Sequence, residues 1–526
     1  MAQLAGIVWT LLVALSLVAS QCSANKTPVV SYSTFSLVSG DGAGTVRALS
    51  SPPSRPAATG TNRIIVKLKS AHTDGLVRAG GISRALQAAL SAETTVYTAE
   101  TTIHHLNSLA MDVVDLPPGV DAAATCEAAL LASDEIDVCE PDALVAPTSV
   151  RRLQRPAAAQ DRWLPNDPVF EEQWGMASID MPEAWAFLSE QQQETDSGAD
   201  SVGNGTTVVG VIDGGVDYNH PDLKDAMWVN QGEIAGNGID DDGNGFIDDI
   251  HGWAWCDGSS SPPTGDGDPM EKDGRTGTHS AGTIAATANN QEGIAGIAGV
   301  AFGRTTIMAL KFLCGGRGST SDAIQAINYA VAMGATLTSN GWGGMVRSAP
   351  NRALEAAIRK AEEANMLFVA AAGNTDNDND GDMKHYPSSY ELDSIISVGA
   401  TNEDGEKASF SNYGLRSVDV FAPGTKIAST VPGGKYEAMR GTSMATPFVA
   451  GLAALLWSMD PTQSFRDIKH RILSTSEKMD SLEGLCVTGG QLNALTAVTC
   501  VDCKWTPTEA PTTTDFPTTT EAPTEE

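Results

Sequence analysis

The chain has 526 residues, of which 41% are hydrophobic and 52 are glycine, and its formal net charge is -32 at pH 7. This length allows two or three domains, and the composition suits a globular α/β protein with many tight turns. Because acidic residues outnumber basic residues 65 to 33, the surface would repel nucleic acids and anionic membranes. We therefore expect neither nucleic acid nor a stable membrane association.

An apolar run from Leu4 to Val18 lies near the N-terminus and is followed by small residues. The run is shorter than the roughly 20 apolar residues that a membrane-spanning helix needs. Residues 1–24 are therefore interpreted as a cleavable signal peptide rather than an anchor. Export predicts a secreted, extracellular protein and an oxidising environment, in which Cys126 and Cys139 could form a disulfide.

The segment that follows is divided by its composition. Residues 25–62 are rich in Ser, Gly, Pro and Ala and are predicted to be a flexible linker. Residues 63–146 are predicted to form a small α+β domain. Its expected strands are Arg63–Lys69, Met111–Leu116 and Ile136–Val145, and its expected helix is Asp121–Leu131.

Two further segments have no periodic pattern. Residues 147–162 contain Arg151 and Arg152 and are interpreted as a basic linker that proteases could cut. Residues 501–526 consist mainly of Thr, Pro and Glu, which is typical of a disordered tail or a mucin-like stalk.

Between residues 163 and 500, buried-type strands alternate with helices, and we expect no segment long and apolar enough to span a bilayer. This alternation predicts an α/β fold with a doubly wound, mostly parallel sheet. The expected strands are Thr207–Ile212, Thr306–Phe312, Ala335–Ser339, Leu367–Ala371, Ile395–Gly399 and Val418–Ala422. The expected helices are Ser319–Met333, Asn351–Ala364, Thr442–Met459 and Ser464–Thr475.

Three motifs place polar side chains at the ends of predicted strands or at the start of a helix. Asp213 ends a buried strand, at the edge where open α/β sheets build their sites. Ser443 would lie at a helix N-terminus, where free N–H groups can hold an oxyanion, although it could also be a simple N-cap. Asn374, at another strand end, has an amide that could donate to the same oxyanion.

These motifs, in the order Asp then Ser, resemble those of subtilisin-like serine proteases, and the resemblance covers residues 163–500. It implies the subtilisin-like fold, with Asp213 as the acid of the catalytic triad, Ser443 as the nucleophile and Asn374 as the oxyanion donor. It also implies that residues 63–146 are an inhibitory propeptide. The expected partners are a protein or peptide substrate and the chain's own propeptide, and the expected state is a monomer.

The resemblance fails at the catalytic histidine. The family pattern begins His-Gly-Thr-His, and its first His is the base, whereas this chain reads Thr276-Gly277-Thr278-His279. A threonine hydroxyl does not accept a proton near neutral pH, and loss of the base costs on the order of a million-fold in turnover. His279 lies three helical residues further on, whereas a base must lie within about 2.6–3.2 Å of the serine hydroxyl.

We therefore expect a strongly impaired or inactive serine endopeptidase. Four alternatives stay open at this point: His279 acts as the base, a substrate histidine acts as the base, the protein binds peptides or partners without cleaving them, or Thr276 is a sequence error.

Two segments resemble the strands that bind substrate in this family. Gly341 stands where the family often has Ser, and glycine leaves the backbone hydrogen bonds available for a peptide added as a strand. Arg317 would favour acidic substrate residues or would be solvated. The expected substrate-binding residues are Gly316, Arg317, Gly318, Gly341, Trp342 and Gly343.

An acidic loop beginning at Asp240 resembles the first part of an EF-hand and predicts a structural calcium site rather than a solvated turn. A helix-flanked EF-hand is not supported, because His251 stands in place of the final Glu. The expected ligands are Asp240, Asp242, Asn244, the Phe246 carbonyl and Asp248.

Two further calcium sites are considered. A second loop has similar spacing at Asp376, Asp378 and Asp380, and there a calcium site and a solvated turn are equally supported. By resemblance, Asp222 and the loop around Asn289 would form the family's tight calcium site. Calcium is the expected cofactor, and no organic cofactor is expected.

Overall fold

The computed structural model describes residues 34–40, 43–48, 63–68, 101–106, 111–116, 122–132, 136–142, 144–147, 164–195, 206–256, 265–299, 304–347, 350–501 and 503. The predicted signal peptide lies outside these ranges. The predicted basic linker also lies outside them except for Pro147, and the predicted tail does so except for Val501 and Cys503.

Within its described residues, the N-terminal unit, residues 34–142, is a six-stranded antiparallel sheet with one helix packed against it. The strand order is β2-β1-β4-β5-β3-β6. Two of the strands, β1 and β2, lie within the segment that was predicted to be a linker, so part of that prediction is wrong. The strands are β1 Thr34–Gly40, β2 Ala43–Ala48, β3 Arg63–Leu68, β4 Thr101–Leu106, β5 Met111–Asp115 and β6 Ile136–Pro141, and the helix is α1 Ala122–Ala132.

The last strand predicted for this unit is divided in two by the structure. Strand β6 ends at Pro141, and a separate strand, β7 Leu144–Pro147, leaves the unit. Strand β7 pairs with two strands of the following unit, and we call it the docked strand.

The main unit, residues 164–503, contains a nine-stranded sheet whose order is β20-β21-β17-β16-β14-β12-β8-β10-β9. Neighbouring strands are parallel except for the pair β20 and β21. The strands are β8 Thr206–Asp213, β9 Gly252–Ala254, β10 Arg304–Lys311, β12 Leu337–Asn340, β14 Leu367–Ala371, β16 Ile395–Thr401, β17 Val420–Pro423, β20 Glu477–Lys478 and β21 Gly490–Gln491.

A second, four-stranded sheet has the order β11-β7-β13-β15, and β18 and β19 form a hairpin. The docked strand is therefore an inner strand of this second sheet. The remaining strands are β11 Gly318–Ser319, β13 Trp342–Val346, β15 Lys384–Tyr386, β18 Ile427–Val431 and β19 Lys435–Met439.

Helices cover both faces of the nine-stranded sheet. Alternate residues of β8 enter different cores: Val211 packs with α4 and α7, whereas Ile212 packs with α5 and α6. This arrangement confirms the predicted doubly wound α/β fold. The helices are α2 Trp174–Ser178, α3 Met181–Thr195, α4 Thr276–Ala285, α5 Thr320–Ala332, α6 Arg352–Glu363, α7 Thr442–Met459, α8 Phe465–Ser474 and α9 Ala494–Thr499.

Contrary to the expectation from the sequence, helix α7 is long and apolar enough to span a membrane, and it is the one helix within the described ranges that meets this test. It is also 94% buried inside the protein. Hydropathy does not distinguish a core helix from a membrane span, whereas burial identifies α7 as part of the core.

Three disulfides join neighbouring elements in the described parts of the chain. The Cys126–Cys139 bond, which the sequence left open as one possibility, is present and ties α1 to β6. The other two bonds are Cys256–Cys314 and Cys500–Cys503, while Cys486 is a buried free thiol.

Candidate active site

The site forms where strand β8 ends and helices α4 and α7 begin. Asp213 is the last residue of β8, Thr276 is the first residue of α4, and Ser443 is the second residue of α7. Helix α4 can approach the strand end this closely because position 277 is glycine. A Cβ at Gly277 would collide with the Gly215 carbonyl and lie 3.2 Å from the Asp213 Cβ.

Asp213 is 1% exposed, and its carboxylate accepts two hydrogen bonds. Its Oδ1 atom accepts the backbone N–H of Gly214 at 2.7 Å and also the hydroxyl of Thr276. Burial raises the pKa of Asp213 to about 6, against the opposing effect of these two donors. Thr276 therefore occupies the hydrogen-bonding position beside the acid that the family pattern gives to the catalytic base.

Ser443 is fully buried, and its hydroxyl donates to the carbonyl oxygen of Gly341 at 2.7 Å. A Cβ added at Gly341 would lie 3.1 Å from the Ser443 Cβ and 3.2 Å from the Asp213 Oδ2. The predicted nucleophile, the predicted acid and the predicted substrate strand therefore converge on one point.

Asn374 lies beside the start of α7. Its Oδ1 accepts the Thr442 N–H at 2.8 Å, which fixes the orientation of the amide. Its Nδ2 is buried and has no hydrogen-bond partner within the described residues. A buried donor without a partner is costly unless a ligand satisfies it. This donor therefore suits the oxyanion of an acyl-transfer reaction.

His279 is buried on the far side of α4. Its Nε2 lies 2.8 Å from the carbonyl oxygen of Ile427 in β18. Burial lowers the pKa of His279 to about 4. The hydrogen bonds of Asp213 come from Thr276 and Gly214, so the structure does not bring His279 to the acid.

Glu271 is a buried acid of the site that the sequence analysis missed. It is 2% exposed and accepts the backbone N–H groups of Thr278 at 2.7 Å and Gly277 at 3.3 Å, which caps α4. Burial, followed by the charge of Asp213, raises the pKa of Glu271 to about 8. An acid shortly before a predicted helix start is a signal that could have identified it.

A cavity of about 560 Å³ borders Thr276. Its lining includes Gly214, Glu271 and Leu313 on one side and Arg275 and Met439 on the other. Space for a ligand side chain therefore exists next to the residue that replaces the histidine.

The docked strand fills the predicted substrate-binding groove. It runs antiparallel to β11 and β13, with Val145 opposite Gly318, Ala146 opposite Gly343 and Pro147 opposite Trp342. The structure thus brings three of the predicted binding residues, Gly318, Trp342 and Gly343, against a peptide strand. Gly316 and Arg317 instead lie in the turn before β11, and Arg317 is exposed.

Two acids of the N-terminal unit cap helices of the main unit. Glu140 accepts the N–H groups of Arg352 at 2.8 Å and Ala353 at 3.3 Å at the start of α6. Asp142 accepts the N–H of Ser321 at 3.1 Å at the start of α5 and forms a buried ion pair with Arg63 at 2.6 Å. Helix N-termini favour negative charge, so these contacts hold the docked strand in the groove.

The first acidic loop brings together carboxylates that could hold a metal ion. Oxygen atoms of Glu233, Asp242 and Asp249 lie within 4.8 Å of one another. Within the described residues, no Lys or Arg forms an ion pair with these three acids. Burial, and to a lesser extent the charge of Asp242, raises the pKa of Asp249 to about 6. Such a cluster fits a hard cation such as calcium, which prefers oxygen ligands.

The three acids of this cluster are not the same residues as the predicted calcium ligands. Of the predicted ligands, Asp242 belongs to the cluster, whereas Asp240 accepts the N–H groups of Asn244 and Gly245. The Asn244 amide donates to Asp242 and Asp249, Asp248 accepts the N–H groups of Asn237 and Gly238, and the Phe246 ring packs in a hydrophobic core. Asp242 is therefore the residue that the predicted ligands and this cluster share, and Glu233 and Asp249 were not predicted.

The second acidic loop is not a cation cluster in the described structure. Asp376 forms an ion pair with Lys407 at 2.5 Å, and Asp380 accepts the N–H of Arg416 at 2.9 Å. Asp378 accepts the N–H of Asp380 within the loop. These acids are therefore satisfied by other groups of the protein.

Asp222 lies beside the loop around Asn289, as the resemblance implied. It is fully buried and accepts the side-chain amide of Asn290 at 2.8 Å and the N–H of Ile294 at 2.9 Å. Burial is the main cause that raises the pKa of Asp222 to about 6, and Asp167 adds to the effect. Asp222 and Asp167 therefore both lie near this loop. Among the described residues, no third carboxylate joins them to form a close group of acids.

Comparisons with known proteins agree with this geometry. The model of the subtilase family matches residues 204–496. The chain is 35% identical over 338 residues to thermitase of Thermoactinomyces vulgaris, which covers 64% of this chain and 99% of thermitase. It is 36% identical over 339 residues to a thermophilic serine proteinase of Bacillus sp. strain AK1, which covers 64% of this chain and 70% of that protein. It is also 36% identical over 269 residues to subtilisin E of Bacillus subtilis strain 168, which covers 51% of this chain and 60% of that protein. The chain therefore belongs to the subtilase family.

Proposed function

We propose that this chain is a secreted, calcium-stabilised subtilase whose peptide-bond hydrolysis is strongly reduced or lost. The observation that carries the proposal is the hydrogen bond from the Thr276 hydroxyl to Asp213. In a Ser-His-Asp site the acid orients an imidazole, which takes the proton of the serine hydroxyl. Here the acid instead accepts a hydrogen bond from the hydroxyl of Thr276, which cannot take that proton near neutral pH.

The remaining groups retain their roles in peptide binding and charge stabilisation. A peptide would add as a strand between β11 and β13, Ser443 would face its carbonyl carbon, and the unpartnered amide of Asn374 would stabilise the oxyanion. The hydroxyl of Ser443 now donates to the Gly341 carbonyl, which is not a useful base. Such a site keeps roughly 10³–10⁴-fold catalysis over water through the oxyanion hole and binding alone.

The N-terminal unit supports a further part of the proposal, namely that the chain is made as an inactive precursor with an inhibitory propeptide. Its docked strand lies in the substrate groove, and Glu140 and Asp142 hold it there through two helix N-termini. A chain without a base would keep this unit until another protease cut the basic linker that contains Arg151 and Arg152. The predicted signal peptide supports secretion, and the cluster around Asp249 supports the calcium part.

Three forms of the protein test the proposal: the chain without substitutions, which we call the written chain, and the variants Thr276→His and Ser443→Ala. Separation of the N-terminal unit would be followed by mass spectrometry, and Ser443 would be probed with a serine-reactive phosphonate. We expect separation and labelling after Thr276→His and neither in the other two forms. Adding Ser443→Ala to Thr276→His controls for contaminating protease. Equal processing by the written chain and by Thr276→His would overturn the proposal.

The cavity beside Thr276 favours one alternative, in which a substrate histidine supplies the base. An imidazole in this cavity would border Thr276. Neither Asp213 nor Ser443 lines the cavity, so the ring would reach them only if the Thr276 side chain moved aside. We would therefore add free imidazole to the written chain and to a Thr276→Phe variant, in which the larger side chain fills the space. Phosphonate labelling that rises with imidazole only in the written chain would support this alternative, whereas no change in either form would exclude it.

A further inference from the structure

His385 is a buried imidazole on the side of the substrate strand that faces away from the docked strand. It lies in β15, opposite Met345 of β13, so that β13 separates it from β7. It is 2% exposed, and its Nδ1 lies 3.0 Å from the hydroxyl oxygen of Ser388. Its imidazole takes no part in the triad described above.

The tautomer of His385 follows from its neighbour. The Ser388 hydroxyl donates its single hydrogen to the His385 carbonyl at 2.9 Å. That hydroxyl must therefore accept from Nδ1, so Nδ1 carries the proton and Nε2 is left as a hydrogen-bond acceptor. Burial lowers the pKa of His385 to about 4, which keeps the ring neutral at neutral pH.

The ring fills the space between the substrate strand and the loop that carries the oxyanion donor. A Cβ at Gly343 would lie 2.8 Å from the His385 Nε2, and a Cβ at Gly373 would lie 2.8 Å from its Cδ2. Gly343 belongs to β13, and Gly373 precedes Asn374. The imidazole therefore closes the gap between these two backbone segments.

The position of an attacked peptide follows from the register of the docked strand. Pro147 is opposite Trp342, so the next residue of an extended peptide would be opposite Gly341, whose carbonyl accepts the Ser443 hydroxyl. The carbonyl of that residue would lie between Ser443 and the Asn374 amide. We call it the acyl residue. Its side chain is bounded by β13 and by the Gly373 loop, which are the two walls that His385 joins.

We propose that His385 determines specificity in this cleft by restricting the acyl residue to short side chains and favouring a hydroxyl that can donate to Nε2. The expected substrates or ligands are extended peptides with Thr, Ser or Ala at this position. The inference deepens the proposed function and rests on it, since it takes Ser443 as the group that faces the peptide carbonyl.

The test uses the Thr276→His form and four peptide substrates of sequence Val-Ala-Pro-Xaa with a chromogenic leaving group, in which Xaa is Thr, Val, Ala or Phe. Thr and Val have the same shape, so their ratio isolates the hydroxyl. We expect kcat/KM to be about tenfold higher for Thr than for Val, and lowest for Phe. In Thr276→His/His385→Gly, the Phe substrate should become the best, and the ratio of Thr to Val should approach unity.

His470→Ala in the same background is the matched control, because it removes an imidazole that is distant in sequence, on helix α8. It should leave the substrate order unchanged. If His385→Gly does not fold, as judged by circular dichroism, His385→Ser serves as the second variant. An unchanged order after either His385 substitution would overturn the inference, as would a preference for Phe while His385 is present.

Failure of the proposed function would give a different result. If Thr276→His hydrolyses none of the peptides, restoration of the base has failed, and His385 is then judged by binding alone. The four peptides, amidated instead of carrying the leaving group, would be added to an Asp142→Ala form of the full chain, in which the docked strand loses its contact with the start of α5, and to Asp142→Ala/His385→Gly, and the thermal shift would be measured. A Thr peptide that binds more tightly than the Phe peptide, with the order reversed by His385→Gly, would support the inference. Any other order would overturn it.

Discussion

At the scale of single residues, the contact between Thr276 and Asp213 explains how the chain can belong to the subtilase family and yet be proposed to lack activity. The acid, the nucleophile and the oxyanion donor converge as they would in a working site, yet the acid is hydrogen-bonded to a hydroxyl. Removal of a base from a serine protease leaves the fold and the binding groove in place. Under the proposed function, the consequence is a loss of turnover and not a loss of structure.

Burial of Asp213 predicts a pH dependence of stability. Its folded pKa of about 6 is higher than the unfolded value of 3.8, so the folded state binds more protons in this range. The contribution of Asp213 to the free energy of unfolding must then fall as pH rises from about 4 to about 6, by about 3 kcal/mol in all. Asp213→Asn keeps an oxygen to accept from Thr276 and Gly214 and should remove this loss.

The measurement is urea unfolding at pH 4 and pH 7 of the written chain and of Asp213→Asn. The variant should be the more stable of the two at pH 7, with a smaller difference at pH 4. Comparison between the two proteins cancels the buried acids that Asp213 does not influence. The pKa of Glu271, which burial and then the charge of Asp213 raise, should fall in the variant, and this change acts in the same direction. If Asp213→Asn loses as much stability between these pH values as the written chain, the prediction is wrong, because Asp213 would then not have a raised pKa in the folded protein.

Sequence patterns identified the residues whose role depends on a strand end or a helix start. Asp213, Asn374 and Ser443 could be placed at one edge of the sheet in this way, because parallel strand ends meet there, whereas their roles were implied by the resemblance to subtilisin-like proteases. Glu271 and His385 could not, because each acts through contacts with segments that are distant or unpatterned in sequence. The burial of both side chains depends on tertiary packing, which local periodicity does not report.

At the scale of elements, periodicity predicted six parallel strands and four helices of the main unit to within a few residues, whereas strands β9 and β21 and helices α2, α3 and α9 were not predicted. The boundary errors occurred where the chain stops pairing with strands of one unit and begins to pair with strands of the other. The strand predicted for Ile136–Val145 ends at Pro141 because Asp142 turns away to cap α5, and Leu144–Pro147 then pairs with the main unit. The predicted linker contains β1 and β2. Residues 34–37 of β1 alternate polar and apolar residues, but this short alternation lies within a segment whose Ser, Gly, Pro and Ala content favoured a linker.

The acidic loop predicts a calcium-dependent stability. Glu233, Asp242 and Asp249 would repel one another without a cation, and a bound ion at 100 times its Kd contributes about 2.7 kcal/mol. Addition of EGTA should therefore lower the Tm by several degrees, as measured by differential scanning calorimetry. Asp249→Asn should lower the Tm and reduce the effect of EGTA.

Asp376→Asn in the second acidic loop is the control, because Asp376 is already paired with Lys407. It should leave the response to EGTA unchanged. The same Tm with calcium and with EGTA would contradict a structural calcium site, and an unchanged EGTA effect in Asp249→Asn would place the ion elsewhere.

At the scale of the whole molecule, the N-terminal unit and the main unit are joined by a strand and by two capped helices. The ion pair between Arg63 and Asp142 is buried in this interface, with side-chain exposures of 6% and 0%. Removal of one partner of a buried pair costs about 3–5 kcal/mol, because the other charge is left without compensation. The interface therefore depends strongly on Asp142.

Asp142→Ala should loosen the docked strand without unfolding the main unit. Hydrogen–deuterium exchange would follow the backbone amides of β11 and β13, which we expect to exchange faster in the variant than in the written chain. Asp137→Asn is the matched control, since its partner Lys67 and the Asp137 side chain are both more than one third exposed. Equal protection of β11 and β13 in Asp142→Ala and in the control would contradict the proposed docking.

The most direct test of the account is the rate at which the chain cleaves itself after refolding. This reaction starts with the docked strand already in the groove, so the written chain and Thr276→His are compared with the same occupant. We predict that the first-order rate constant for separation of the N-terminal unit is higher in Thr276→His by at least about a thousandfold, because loss of a triad base costs on the order of 10⁶ in turnover. Equal rate constants in the two proteins would contradict the account, since the written chain would then possess a base that Thr276 does not replace.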